Sequence, residues 1–463
     1  MSIAPPVALR NPDLRSFLAE YELANPTQVW RIKEPIAQEY VTTAWVLELE
    51  KVGHAPLLIF ENVTGSDMPV VVNIFGSRER IAHILGTTAD GLIERWNKLT
   101  AAAVPPVIVD LGPCQERVLT GGDVDATKLP ILRHFKGDAG CYVTSGMSIS
   151  NDPDTGVRNL TYARMQRKGA HKFGVSFHSR GHHWDYLARY EKQGRNMPMA
   201  VAIGGHPAML IGTATRGAID LDEFDVVGGL MGQPVELVRG KTIDVCVPAT
   251  AEIVLEGEVL CGVREPEGPF GEYTGYSSGR STENVFIVSA ITMRSSPIFL
   301  DVTPGFSSEH LLLARTQKEA MVLAKLREVY PAVKRLHYPK SGTQFHAYAA
   351  IEKSFEGQAR QVGMLLLGLD QYVKNVVIVD TDVNVANDSE VLWAIATRTQ
   401  ATRDFSIIQQ GLTNQLDPSS RGGMSDKVII DATAPLDWDA VRTEIPAEVE
   451  ATVRRSIEAR LGR

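Results

Sequence analysis

Two glutamates, Glu267 and Glu272, sit five residues apart in Glu265-Pro266-Glu267-Gly268-Pro269-Phe270-Gly271-Glu272-Tyr273-Thr274-Gly275-Tyr276. Gly268, Pro269 and Gly271 exclude a regular helix between them and favour a turn-rich loop. Such a loop can hold two carboxylates in one site. There, burial or a like charge raises the pKa of one while an arginine lowers that of the other. One site then obtains a proton donor and a fixed anion. A solvated acidic turn would show the same composition, so further residues must decide between the two.

Gly275-Tyr276-Ser277-Ser278-Gly279 fits the G-x-S-x-G nucleophile elbow, but that motif needs a strand before the serine and a helix after it. Here a Gly/Pro/Glu loop precedes it, and a strand-like run, Val285 to Ile291, follows. A serine hydrolase is therefore disfavoured. Asn159 and Arg164 follow a hairpin signal, Asp152-Pro153-Asp154-Thr155-Gly156. A regular strand points residues five apart to opposite faces, so a shared site requires a bulge or a strand end between them. His182-His183 opens a helix, where neighbours do not converge on one point. Glu223 lies in an acidic helix start, Leu221 to Asp225, which the helix dipole alone would explain.

The chain that must position these groups has 463 residues, which predicts two or three domains. A hydrophobic fraction of 44% and a charged fraction of 22% are those of an ordinary globular protein. A net charge of −8 with no basic run argues against a nucleic-acid surface. Met1 to Pro6 shows no basic-then-apolar leader, and the apolar run Met364 to Leu369 is too short to span a bilayer. Cys114, Cys141, Cys246 and Cys261 are widely spaced and read as buried or incidental thiols in a reducing cytoplasm.

Asn11-Pro12 predicts a cap for a helix over Asp13 to Glu22, and Ser77 to Gly86 and Ala89 to Ala102 predict two more. Val70 to Phe75, Met147 to Ser150 and Val157 to Gln166 read as strands. So do Ala200 to Ile203, Ala208 to Ile211, Pro234 to Arg239, Glu252 to Leu255 and Val285 to Thr292. After Pro304-Gly305, Ser308 to Tyr330 reads as one long helix stopped by Pro331. Strand, helix, strand and helix signals then alternate at Thr343 to Ala349, Gly357 to Leu369, Asn375 to Val379 and Glu390 to Arg398. That alternation predicts a smaller α/β domain. A final amphipathic segment, Ala447 to Leu461, lacks an apolar partner in its own neighbourhood and is of the kind that docks on another domain or subunit.

Taken together, Asn159-x4-Arg164, His182, Glu223 and Glu267-Gly-Pro-Phe-Gly-Glu272 resemble the UbiD-like family of prenylated-FMN-dependent decarboxylases. Val247-Pro248-Ala249-Thr250-Ala251-Glu252, Leu255-Glu256-Gly257, Val376 to Asp382, Val391 to Arg398 and Ile430-Asp431-Ala432-Thr433 add to the match, which runs from about Gly146 to Thr433. The resemblance implies an α/β (α+β) chain. A β-rich, split-barrel-type domain at 1–305 would bind the prenylated flavin and metal. A linker helix (306–331), an α/β oligomerisation domain (332–436) and a helical tail (437–463) would follow. It also implies that Asn159, His182 and Glu223 ligate a divalent ion, usually manganese, that bridges to the flavin phosphate, with His183 as fallback and a potassium ion alongside. These three and Arg164 form its cofactor-binding set. Arg164, Glu267 and Glu272 would be the catalytic set: Arg164 orienting the substrate carboxylate and pairing with Glu267, Glu272 delivering the proton that replaces CO2.

No side chain is a good electron sink for such a step, so a cofactor must carry it. In the family this happens through a covalent adduct of substrate and prenylated flavin. The implied reaction is reversible, non-oxidative decarboxylation of an aromatic, heteroaromatic or α,β-unsaturated acid. A flavin prenyltransferase would supply the cofactor, and the enzyme would be a cytoplasmic homodimer or larger homo-oligomer. Ser307 to Leu313 resembles a segment of members acting on five-membered heteroaromatic acids. That likeness implies His310 and Arg315 as contacts to a ring heteroatom, as in pyrrole- or furan-type acids, or to a second carboxylate. Tyr273, which follows Glu272 near where the family's pocket lies, is the third candidate substrate contact. Two alternatives remain: a polyprenyl-hydroxybenzoate decarboxylase of quinone biosynthesis, and a catalytically silent flavin- or metal-binding assembly protein.

Overall fold

The structure is a computed structural model that describes residues 12–177, 181–215, 217 and 219–461. Its centre is a nine-stranded sheet in which every neighbouring pair is antiparallel. Across the sheet the order is Tyr142–Val143, Arg164–Arg167, Lys172–Ser176, Asn284–Met293, Ile253–Arg264, Met197–Ile203, Met147–Asn151 and Arg158–Tyr162. Arg117–Thr120 pairs with Asn284–Met293 off this path.

One detail dictates the shape of that sheet. Arg158–Tyr162 is eighth in the order and Arg164–Arg167 second, yet only Ala163 separates them in the chain. Six strand spacings in a flat sheet amount to about 29 Å, whereas the step from Tyr162 to Arg164 reaches at most about 7 Å. The sheet must therefore curl until its two ends meet. The twelve-residue strand Ile253–Arg264, irregular at Glu256/Gly257 and again beyond Val259, provides part of the bend. Alternate residues of these strands (Phe173, Val175, Val201, Ile203, Leu255, Phe286, Val288) fill the concave interior.

Smaller sheets flank this half-barrel. One is Val29–Ile32, Leu57–Phe60, Val70–Val72 and Phe299–Leu300; another is Cys246–Pro248, Glu236–Arg239 and Val107–Val109. The helix Ser308–Val329 then leads into a five-stranded sheet ordered Val333–His337, His346–Ile351, Asn375–Asp380, Met424–Ala432 and Phe405–Leu412. Its three central strands are parallel, as the alternating pattern predicts, and the flanking two run antiparallel. Glu319 of the long helix is buried and ties three parts together. It meets Arg78 at 2.7 Å and His337 at 3.0 Å, and it accepts the Tyr338 N–H at 3.1 Å. The β-rich half-barrel, long linking helix, smaller α/β unit and C-terminal helix are the architecture expected.

Two local expectations change. The first helix is Leu14–Ala24, capped by Asp13, whose carboxylate accepts the Ser16 N–H at 2.8 Å in a reciprocal capping box. Asn11 and the segment Met1 to Pro6 lie outside the described residues. The apolar run Ala208 to Ile211 is not a strand but part of the helix Pro207–Thr213. That helix is buried on all sides, which erases the polar face that marks helical period, and Pro207 sits at its first turn. The four cysteines are free thiols. Among the described residues no helix is long and apolar enough to cross a membrane.

Candidate active site

The strand end at Ala163 resolves the parity problem posed by Asn159 and Arg164. Asn159 belongs to the hairpin strand opposite Ser150, and Arg164 begins a new strand opposite Ser176. They are five positions apart, so their Cα atoms lie within about 17 Å, and each anchors its own polar group.

The first group is Asn159, His182 and Glu223. Asn159 Nδ2 donates to Glu223 Oε1 at 2.7 Å and lies 3.2 Å from His182 Nδ1, which is 3.7 Å from Glu223 Oε1. Glu223 opens the helix Glu223–Met231 after its cap Asp222, and its second oxygen accepts the Leu160 N–H at 2.8 Å. The neighbouring pair repeats the pattern, with Arg158 donating to Asp222 at 2.8 Å. The hydrogen bond to Glu223, reinforced by its charge against the cost of burial, raises the His182 pKa above its ordinary value. Asn159 Oδ1 is buried with no hydrogen-bond partner. A partly open imidazole, a buried carboxylate and an unspent amide oxygen form a donor set that fits a divalent cation. Among the described residues there is no cluster of three or more His, Cys, Asp and Glu suited to a metal. His183 goes elsewhere. Its ring stacks on Phe177 at 5.5 Å, both ring nitrogens are buried without partners, and burial drives its pKa down to about 3.

The second group is Arg164, Glu267 and Glu272. Gly268 takes φ +94, a conformation that side chains with a Cβ rarely adopt, and the loop bends there. Phe270–Gly271 then pairs with Ser277–Ser278, making residues 272–276 the tip of a small hairpin. Ser277 is thus in a hairpin, not on a strand-to-helix elbow. Arg164 Nε and Nη2 reach Glu267 at 3.2 and 3.0 Å, and Nη1 bonds Glu272 Oε1. Nη2 also donates to the Arg280 carbonyl at 2.6 Å, while the guanidinium lies over the Phe270 ring at 5.2 Å. Phe270 in turn packs on Tyr142 at 4.6 Å. Gly174, on the strand beside Arg164, leaves the room Glu267 needs, since a Cβ there would lie 2.9 Å from Glu267 Cγ.

The electrostatics separate the two glutamates. Burial raises the Glu272 carboxyl above its usual range, and the charge of Glu267 adds to this against the opposing pull of Arg164. Burial works to lower the Arg164 pKa, but the two carboxylates outweigh it and the guanidinium ends above its ordinary value. The arrangement is a cation between two carboxyls, one of which, Glu272, has its pKa raised.

Tyr273, immediately after Glu272, is buried against His310 (6.3 Å) and Phe345 (6.0 Å), and its hydroxyl accepts from Asn414 Nδ2 at 2.7 Å. His310 is half-buried with Nδ1 at 3.2 Å from the Gly305 carbonyl. A carbonyl only accepts, so Nδ1 carries the proton and Nε2 is the free acceptor. Burial lowers the pKa of this ring. Arg315 is not brought to this group. Five residues along a helix is a turn of about 140° away from His310. Its Nε donates to Leu311 O at 3.1 Å and its Nη1 to Tyr338 O, all buried. Sequence reasoning missed Asp138, Tyr142, Phe345 and Asn414. None belongs to a motif, and all reach the site from at least 127 positions away or from another domain.

Three family models match the chain. They are the N-terminal, Rift-related and C-terminal domains of 3-octaprenyl-4-hydroxybenzoate carboxy-lyase, at residues 21–100, 107–307 and 311–432. A curated relative, anhydromevalonate phosphate decarboxylase of Methanothermobacter thermautotrophicus, is 36% identical over 383 residues, 82% of this chain and 89% of its own. Among solved structures, the UbiD-class enzyme HmfF of Pelotomaculum thermopropionicum in complex with FMN matches with a TM-score of 0.90 and 37% identity, over 96% of this chain and 99% of its own. The apo 3,4-dihydroxybenzoic acid decarboxylase AroY of Klebsiella pneumoniae matches with a TM-score of 0.87 and 26% identity over 96% and 99%.

Proposed function

The chain belongs to the UbiD family of carboxy-lyases, and from that premise we propose that it catalyses the reversible, non-oxidative decarboxylation of an aromatic, heteroaromatic or α,β-unsaturated acid with prenylated FMN. The observation that carries this reading is the grip of Arg164 between Glu267 and Glu272. The solved HmfF structures contain FMN or prenylated FMN, which supports the same cofactor here. When bound, prenylated FMN supplies the sink for the electron pair left as the bond to the departing carboxylate breaks.

The chain supplies the rest. Arg164 orients the departing carboxylate by charge-assisted hydrogen bonds, and Glu267 fixes the guanidinium. Glu272 donates its proton to the carbon that has lost CO2 and, in the reverse direction, takes the proton from that carbon. Asn159, His182 and Glu223 would hold a divalent cation, manganese in our reading, which with a potassium ion beside it would balance the negative charge of the flavin phosphate. The 1–305 unit binds flavin and metal, and the 306–331 helix links it to an oligomerisation domain at 332–436 and its tail. A catalytically silent assembly role would leave the closed Arg–Glu–Glu group without a purpose.

Tyr273 and His310 set substrate choice. With Nε2 as a neutral acceptor, His310 suits a ring N–H or hydroxyl on the acid better than a second carboxylate. Arg315 bonds the Leu311 and Tyr338 carbonyls and lies on another face of the helix from His310, so it does not join His310 in binding one. The names of relatives span anhydromevalonate phosphate, 3,4-dihydroxybenzoate and vanillate, so the family reaction is common while the acid varies. A polyprenylated hydroxybenzoate is the alternative substrate.

Co-expression with a flavin prenyltransferase should give a coloured protein that releases CO2 from pyrrole-type or hydroxylated aromatic acids. Furan-type dicarboxylates should be poorer. A colourless protein inert to the whole panel, polyprenylated hydroxybenzoates included, would sink the reading.

Glu223→Gln should weaken metal and cofactor retention together by about tenfold or more, without abolishing either, because the other ligands persist. Unchanged metal and flavin content in this variant would remove Glu223 from the ligand set.

Val449, Val453 and Ile457 recur every fourth residue on the helix Ala447–Leu461 and are half-exposed within one chain. With the 332–436 unit they form a two-fold, self-complementary interface in solution. Light scattering at micromolar protein should return at least a dimer mass; a monomer mass would contradict this.

A further inference from the structure

Behind the loop that carries Glu267 and Glu272 lies another buried carboxylate, Asp138. Its Oδ2 accepts N–H bonds from its own turn, from Phe135 at 2.8 Å and His134 at 3.3 Å. An aspartate in a turn commonly does this and no more. Asp138 does more, because its Oδ1 accepts the N–H of Gly271 at 2.8 Å, from the residue immediately before Glu272. The turn makes a return contact, with Ala139 N–H donating to the Pro269 carbonyl at 2.9 Å. The Tyr142 hydroxyl donates to that same carbonyl at 3.3 Å. Arg133 closes the turn from outside by donating to the Asp138 carbonyl at 2.8 Å. Two of the four residues between the glutamates are thus pinned through their backbones by a segment far away in sequence.

We propose that Asp138 is a positioning residue for the proton-donating loop: it fixes the backbone at Gly271 so that Glu272 stays against Arg164, and it places a further carboxylate behind that carboxyl. This rests on the reading of Glu272 as the proton donor. The charged and titratable groups facing Glu272 are Arg164, Glu267 and Asp138, with Tyr273 next to it in the chain. Those facing Asp138 are Arg133, Glu272 and Tyr142. His134, in the same turn, is neutral, since burial takes its pKa to about 3. Burial raises the Asp138 pKa, while three N–H donors and Arg133 favour its charged form. Its charge therefore joins that of Glu267 in holding the proton on Glu272.

Asp138→Asn tests both halves on the holoenzyme. An amide of the same size cannot accept from Gly271 and Phe135 at once, because one of its two ends is a donor. Hydrogen exchange in the peptide spanning 267–273 should quicken by about tenfold, the worth of one lost backbone hydrogen bond. The rate should fall at high pH as Glu272 loses its proton. With Asp138 neutral, that limb should move to lower pH by roughly half a unit, with KM nearly unchanged. Asp138→Glu keeps the charge and displaces it by one methylene, so it should quicken the exchange yet leave the limb in place. Wild-type exchange in Asp138→Asn, an unmoved limb, or an equal limb shift in Asp138→Glu would each overturn the proposal. The exchange result does not depend on which group donates the proton, so failure of the Glu272 assignment would be recognised separately.

Discussion

Everything in the site depends on a one-residue seam. Ala163 joins the eighth strand of the central sheet to the second, and a single residue cannot bridge a flat sheet. Curling the sheet meets that constraint, and it brings the Asn159 and Arg164 groups within a few residues of each other on a rigid support. Strands on either side of the seam belong to different hydrogen-bonded neighbourhoods, so the two groups are held independently. That suits the proposed flavin, whose phosphate end and reacting end need different environments.

Within the second group the deciding quantity is charge in a buried place. Two carboxyls and one guanidinium cannot all be satisfied as ions, because two anions share one cation away from water. Glu267 holds Arg164 through both Nε and Nη2, whereas Glu272 holds it through Nη1 alone. Burial, with the charge of Glu267 added against the pull of Arg164, raises the Glu272 pKa, so Glu272 is the carboxyl biased toward holding a proton. Deleting the cation would be a blunt probe of this balance, since an uncompensated buried charge costs about 3–5 kcal/mol in stability. A neutral, isosteric change at Glu272 perturbs only the proton.

Much of this could be read from the residues. Gly268 and Pro269 announced a bent loop between two glutamates, and the long helix and the alternating α/β unit followed from period and composition. The odd spacing of Asn159 and Arg164 demanded a broken strand, and the break is at Ala163. Helix phase could also have separated Arg315 from His310, because residues five apart do not share a face. Other features had no local signal. Whether His182 or His183 meets Glu223 depends on where the helix begins to within one residue, finer than any sequence boundary. The helix Pro207–Thr213 is buried on every side and so shows no period. Asn414 reaches Tyr273 across 141 positions, and Asp138 reaches Gly271 across 133, separations that only the folded chain brings to contact.

The central claim is that Glu272 carries the exchanging proton. Exchange of the product's carbon-bound hydrogen with D2O on the holoenzyme requires that proton transfer but needs no CO2, so it isolates the step. Glu272→Gln should retain its flavin and lose this exchange, because an amide cannot supply an acidic proton. Exchange at the wild-type rate in that variant would show that another group moves the proton and would contradict the account.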